Sequence, residues 1–355
     1  MKIAPLYAEL AQYPDKYKAQ IIHTGQHYDE KMSKLFFEEL HMPEPQVYLK
    51  VGSGTHGIQT ARIIERYEEY ILSGQKPDLV VVAGDVNSTI ACALVAKKLH
   101  IPVAHLEAGL RSFDDRMPEE INRVLTDRIS DILLTPSIDG NENLIKEGVD
   151  PAKIHFVGNI MIDSLIGHQK KAANSKIKNE LGLLENEAYV LVTMHRPSNV
   201  DEPDSLKMLL TAFAEIGKEI MIIFPMHPRT RKNIDRLGLQ KKLDTIKYLR
   251  VTDPIGYLDF MKLQMDAKLV LTDSGGIQEE TTFFGVPCLT LRENTERPIT
   301  ITEGTNQLVK LDSQSIVTKV FEILEGNIKK GAIPQYWDGK TASRIEKVIR
   351  GWFGI

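Results

Sequence analysis

The sequence repeats one pattern: a short, wholly apolar run stops at polar residues and gives way to a segment with helical spacing. Asp78–Ala83 stops at Gly84-Asp85 ahead of a helix expected over Thr89–Leu99. Ile101–Leu106 stops at Glu107, and Pro118 then opens a helix with Glu119 and Glu120 in its first turn. Asp131–Thr135 and Lys153–Asn159 continue the series. In the second half Tyr189–Thr193 runs into Met194-His195-Arg196-Pro197, Glu219–Phe224 into Met226-His227-Pro228-Arg229, and Ala267–Thr272 into Asp273-Ser274-Gly275-Gly276. Runs of this kind are strands buried on both faces, and their alternation with helices requires parallel sheets covered on two sides. The expected fold is therefore α/β, and its polar strand ends share the carboxyl edge where open parallel sheets bind ligands.

Shorter signals complete the chain. Gln20–Ile22 and Gln46–Leu49 read as strands, Lys31–Leu40 and Gly57–Leu72 as helices, and Thr341–Trp352 as a closing amphipathic helix. A chain of 355 residues exceeds one ordinary core, so two domains are expected. The polar segment Lys170–Leu184 divides them, with a cleft between two sets of polar strand ends. The opening residues Met1–Leu6 lead straight into a helical pattern, without the strand and glycine-rich turn that usually begin a doubly wound domain. The first strand of the N-terminal domain is therefore expected to be missing.

A formal charge of -4 excludes the basic footprint of a nucleic-acid binder. Two cysteines, Cys92 and Cys288, form no disulfide framework, and with no signal peptide they indicate a cytoplasmic protein. No apolar run approaches the about 20 residues that span a bilayer, so no membrane association is expected. HExxH and GxSxG are both absent, which leaves no signature for a zinc or serine-hydrolase site.

Asp273–Glu280 (DSGGIQEE) is the sharpest local motif. Its glycines let backbone N–H groups approach a phosphate, and the following helix directs its positive end there. Ser274 adds a hydroxyl, Glu280 stands one turn in where ribose hydroxyls bind, and Arg292 and Arg297 supply planar donor forks suited to a diphosphate. The competing role for Asp273 or Ser274 is a plain helix cap. His195-Arg196 sits at the equivalent edge. Asp85, Glu107 and Glu119 are three acids directed at one cleft. Their mutual repulsion is expected to raise at least one pKa and to separate acid from base roles, as proton transfer at a sugar requires.

Taken together, these stretches resemble the non-hydrolysing UDP-N-acetylglucosamine 2-epimerase family. The resemblance spans nearly the whole chain, through Lys2–Leu6, Gly84-Asp85, HLEAGLRS from His105, PEEINR from Pro118, VGNIMIDSL from Val157, His195-Arg196, TDSGGIQEE from Thr272 and TERP from Thr295. It implies two Rossmann-like domains of the glycosyltransferase-B type. Residues 1–168 plus 340–355 would form the N-terminal domain, completed by the returning last helix, and 169–339 a UDP-binding domain. It further implies an isomerase, without metal or nicotinamide cofactor, that interconverts UDP-GlcNAc and UDP-ManNAc, and a homodimer. A base removes the C2 proton as UDP leaves C1; the resulting 2-acetamidoglucal is reprotonated at C2 on the other face, and UDP returns.

By motif position the resemblance makes Asp85, Glu107 and Glu119 the catalytic acids and His195 the catalytic histidine. Lys2, Ser274, Gly275, Gly276 and Arg297 become diphosphate contacts, Glu280 the ribose contact and Phe260 the uracil contact. The chain departs from the family in starting after the GTRPE-like turn, which suggests a start codon placed late, and in the sequence after Asp85. Ser53–Thr60 also lacks the Arg-Gln pair of relatives with a second UDP-GlcNAc site. A UDP-diacetamido-uronic acid substrate, or sugar transfer on the same fold, are the alternatives.

Overall fold

A computed structural model describes residues 1–25, 43–74, 76–184 and 186–355. The helix expected over Lys31–Leu40, with Gln26, His27 and His41, lies outside these residues. The chain divides into two compact units, Met1–Ile166 with Gln335–Ile355, and Gly167–Pro334.

Unit one begins with α1 (Ile3–Leu10), β1 (Ile22–His23) and β2 (Val47–Tyr48), followed by α2 (His56–Ser73), β3 (Val80–Ala83) and α3 (Asn87–Lys98). Next come β4 (Val103–Leu106), α4 (Pro118–Ile129), β5 (Ile132–Thr135), α5 (Ile138–Lys146), β6 (Ile154–Phe156) and α6 (Ile160–Ala173), whose residues from Gly167 onward belong to unit two. Unit two carries β7 (Tyr189–Thr193), α7 (Pro203–Ile216), β8 (Met221–Pro225), α8 (Pro228–Arg236), β9 (Leu249–Thr252) and α9 (Tyr257–Asp266). It continues with β10 (Leu269–Thr272), α10 (Gly275–Phe284), β11 (Cys288–Leu291), β12 (Asn306–Val309) and α11 (Ser313–Leu324). The closing helix α12 (Thr341–Phe353) belongs to unit one.

Among the described residues all strand pairs are parallel, as the continuous apolar runs require. Unit two orders its strands β12-β11-β10-β7-β8-β9. Its topological switch point therefore falls between β7 and β10, where connections leave in opposite directions and ligands bind outside the strand ends. His195-Arg196 follows β7 and Asp273-Ser274 follows β10, so the fold brings these two polar stretches together. Unit one shows the same progression in two pieces, β1-β2 and β3-β4-β5-β6. Among the described residues no strand pairs with the second edge of β1 or of β3.

The sheet of unit one is buried on two faces. On one, Ile63, Tyr67 and Ile71 of α2, at helical spacing, pack with Ala91 and Val95 of α3 onto Val80, Val82 and Val103. On the other, Leu6 of α1 and Ala342, Ile345 and Ile349 of α12 cover Ala104, Leu106, Ile132 and Leu134. Asp163 fixes the start of α12 by accepting the amides of Thr341 at 3.1 Å and Ala342 at 2.8 Å. Full burial of each isoleucine contributes about 1.5–3 kcal/mol, so an Ile345→Asp change would detach the helix. Among the described residues no helix is long and apolar enough to cross a membrane.

Candidate active site

In unit one the strand ends are shaped by backbone that turns sharply. Gly84 closes β3 at φ 72°. A Cβ there would stand 2.7 Å from Nζ of Lys2, so glycine lets the lysine through. That Nζ reaches Oε2 of Glu107 at 2.5 Å. Glu107 is itself left-handed, at φ 71°, an uncommon state for a side-chain-bearing residue and one that recurs at functional sites. Its amide is tied to the carbonyl of Leu134 at 3.1 Å. Its carboxylate is buried, and Oε1 has no hydrogen-bond partner among the described residues. A buried acceptor left open in this way needs an occupant.

Asp85 follows Gly84, and its Oδ2 accepts from the guanidinium of Arg123 on α4. Asn122 of the same helix donates to the Asp85 carbonyl at 2.9 Å. Helix α4 opens at Pro118 as expected, and Glu119 stands in its first turn, half-buried. Among the described residues no ion pair or hydrogen bond engages the Glu119 carboxylate. The expected repulsion between bare acids is thus tempered: Lys2 faces Glu107 and Arg123 faces Asp85.

The neighbouring Glu120 has a different situation. It is buried and accepts from the amides of Ser112 at 3.0 Å and Phe113 at 2.9 Å and from the Ser112 hydroxyl at 2.8 Å, and it pairs with Arg123. Burial opposes its ionised form, but these donors outweigh burial and hold its carboxyl below the usual range. Glu120 and Arg123 thereby couple the 112–113 loop, the first turn of α4 and Asp85.

In unit two the fully buried Asp273 is the organising group. It accepts the amides of His195 at 3.0 Å and Arg196 at 2.9 Å, and its Oδ1 lies 2.9 Å from Nδ1 of His195. Burial pushes its carboxyl up, yet His195 and the two amides bring it below the ordinary value. An ionised Asp273 accepts a hydrogen bond from Nδ1–H and so leaves Nε2 as the reactive nitrogen of a ring whose side chain is 41% exposed. The helix-cap role therefore does not apply to Asp273: Ser274 occupies the N-cap of α10, and its side chain makes no capping bond.

The amides of Gly275 and Gly276 open α10 at its positive end. A Cβ on Gly275 would stand 2.7 Å from Oε1 of Glu296 and 2.8 Å from Nη1 of Arg297. Glu296 binds Arg297 at 2.6 Å and Arg292 at 2.8 Å, with Arg196 at 3.9 Å. Burial raises the Glu296 carboxyl, but Arg297 and Arg292 outweigh it and hold the group well below the carboxylate range. Arg297 also meets Glu279 at 2.9 Å. These contacts fix the guanidinium of Arg297 against the start of α10.

Farther along α10, Glu280 is buried against Tyr257 and Gln264 of α9, and burial together with the charge of Glu279 pushes its carboxyl up to about 8. Phe260 lies one turn beyond Tyr257 and packs, partly buried, beside Leu263 and Ile177. Unit one therefore gathers Lys2, Asp85 and Glu107 around α4, which carries Glu119. Unit two gathers His195, Ser274, Gly275, Gly276 and Arg297, with Glu280 and Phe260 along α10 and α9. The sequence reading missed the supporting residues Asp273, Glu296, Glu120 and Arg123. Only the i, i+3 spacing of Glu120 and Arg123 and the adjacency of Glu296 to Arg297 offered a signal.

Two Rossmann-like parallel α/β units, with an anion-ready helix start at a switch point, define a protein of the glycosyltransferase-B type. Within that class the chain belongs to the UDP-N-acetylglucosamine 2-epimerase family, whose sequence model matches residues 9–350. It is similar to the UDP-N-acetylglucosamine 2-epimerase of Methanocaldococcus jannaschii, at 45% identity over 93% of this chain and 90% of the relative. It is also similar to the UDP-2,3-diacetamido-2,3-dideoxy-D-glucuronate 2-epimerase of Pseudomonas aeruginosa, at 43% identity over 93% of this chain and 90% of the relative. Among solved structures it resembles the M. jannaschii UDP-GlcNAc 2-epimerase in complex with UDP-GlcNAc and UDP. The TM-score is 0.89 at 42% identity, covering 99% of this chain and 96% of that one.

Proposed function

We propose that this chain is an isomerase that interconverts UDP-GlcNAc and UDP-ManNAc by inverting C2. The observation that carries the reading is Glu107: a buried carboxylate with one open oxygen, held in a left-handed turn beside Asp85 and backed by Lys2. A carboxylate takes the C2 proton while the C1–O bond to UDP breaks with its electron pair leaving on the diphosphate. The glycal is then protonated at C2 from the opposite face, and the diphosphate oxygen re-forms the C1 bond. Asp85, Glu107 and Glu119 share the proton handling. His195, through Nε2, serves the departing diphosphate. The amides of Gly275 and Gly276, the Ser274 hydroxyl, Arg297 and Lys2 bind its charge, Glu280 meets the ribose and Phe260 the uracil.

The reading extends to a cytoplasmic homodimer that supplies precursors for a surface polysaccharide. The i, i+3, i+4 stripe of exposed Ile121, Val124 and Leu125 on α4 supports self-association. Light scattering at twice the chain mass is the expected result.

The decisive experiment is incubation with UDP-GlcNAc in D2O, followed by NMR. Epimerisation gives deuterium at C2 and a ManNAc isomer, whereas a chain that only transfers sugar leaves C2 protonated and sinks the proposal. The Pseudomonas relative supports a second reading, a UDP-diacetamido-uronic acid substrate. Exchange with that sugar but not with UDP-GlcNAc would select it.

A further inference from the structure

His105 lies on β4 beneath the two acid-bearing loops and has no solvent exposure. Both of its ring nitrogens face oxygen acceptors. Nε2 lies 2.8 Å from the carbonyl of Gly84, and Nδ1 lies 2.6 Å from Oδ1 of Asp127. A carbonyl only accepts. Asp127 is also an acceptor, because its Oδ2 receives the amide of Gly109 at 3.0 Å and Nη1 of Arg111 at 2.7 Å. Burial opposes ionisation of Asp127, but His105 and Arg111 outweigh it and hold the carboxyl below its usual range. A neutral imidazole would present a lone pair to one of the two oxygens, whereas the imidazolium satisfies both.

We propose that His105 is kept as a buried imidazolium, and that the ion array built on it positions Asp85 and Glu107 for proton transfer. The charged groups around the ring come from each surrounding element: Asp127 from α4, Arg111 from the loop after β4, and Glu147 at the end of α5. Glu147 meets Arg111 at 2.7 Å. Two cations face two anions, so the array carries no net charge into the interior. Its neutral contacts decide its role. It holds the carbonyl of Gly84, the residue before Asp85, and the amide of Gly109, two residues after Glu107. Both loops are thereby hung from one rigid point. Asp127 ties that point to α4, which bears Glu119. The positioning half of the proposal rests on the epimerase reading; the protonation half does not.

The test combines a spectrum with kinetics. In protein labelled with 15N-histidine, under the conditions of the C2-exchange assay, both His105 nitrogens are expected at imidazolium shifts. Their disappearance in His105→Asn or His105→Gln identifies the signal. The unequal pair of a neutral tautomer would overturn the proposal. Both N–H donors of asparagine sit on one atom and cannot reach oxygens on opposite sides of the imidazole, so His105→Asn should lower kcat on the order of 10²-fold while KM holds. A folded variant with full kcat overturns the positioning role. Asp127→Asn is expected to convert the His105 signal to a neutral pattern, and an unchanged imidazolium there refutes the array. The spectrum is read without turnover. A chain that fails to exchange C2 therefore loses the epimerase reading, while the imidazolium still stands or falls on its own signal.

Discussion

Nδ1 of His195 lies 2.9 Å from Oδ1 of Asp273, which is buried while the imidazole side chain is 41% exposed. One partner is locked into the protein and the other is presented outward. Asp273→Asn should keep the fold but lose the fixed tautomer, lowering kcat for C2 exchange by up to about 10⁴-fold, the loss seen when such a carboxylate is neutralised. His195→Ala is expected to abolish exchange outright. Steady-state kinetics beside circular dichroism checks both, and full activity in a folded Asp273→Asn protein would refute the orienting role.

Adjacent acids on α4 should behave in opposite ways. Glu120→Gln leaves Arg123 facing less charge and weakens the bonds to Ser112 and Phe113, so a loss of about 3–5 kcal/mol is expected, as for other broken buried pairs. Glu119→Gln removes no bond among the described residues and should leave the urea midpoint within about 0.5 kcal/mol of the parent while ending C2 exchange. Equal stability losses in the two variants would contradict the division of roles.

Gly275→Ala tests the diphosphate corner. The added Cβ meets the ends of two side chains, Oε1 of Glu296 at 2.7 Å and Nη1 of Arg297 at 2.8 Å, rather than backbone. The helix is therefore expected to survive and the guanidinium to move aside. Calorimetry should show UDP binding weakened by about 10- to 100-fold, the equivalent of one charge-assisted hydrogen bond. Unaltered affinity would remove Arg297 from the binding contacts.

Glu280 makes stability fall as pH rises from the acidic range to about 8. Its carboxyl is raised to about 8 from an ordinary value of 4.5, so the folded state binds a proton that the unfolded chain has released. Stability from this group is fully present below pH 4.5 and is lost as pH rises toward 8. Glu280→Gln should flatten that decline, and urea midpoints measured across the interval would reveal a parallel slope if the assignment is wrong.

The strands were legible because each is a run of residues that only a sheet buried on both faces can use, as Val80–Ala83 and Tyr189–Thr193 are. The ends of those strands were legible too, since Asp85, Glu107, His195 and the Ser274–Gly276 turn interrupt the runs with polar or flexible residues. The supporting groups were not. Asp273 reaches His195 across 78 positions of chain, and Asp127 reaches His105 across 22. Such partners are chosen by strand order, here the adjacency of β7 and β10, which periodicity does not encode. The counter-cations were hidden for the same reason: Lys2 meets Glu107 across 105 positions, so the acids looked more exposed to one another than they are.

Glu107 occupies backbone territory that favours glycine, at φ 71°. For an L-residue that conformation costs about 1–2 kcal/mol, and the chain bears this in every folded molecule. Glycine at this position would relax the turn and silence the acid, so a Glu107→Gly protein is expected to resist denaturant better than its parent while exchanging no deuterium. Selection for thermal robustness alone would erode this site first.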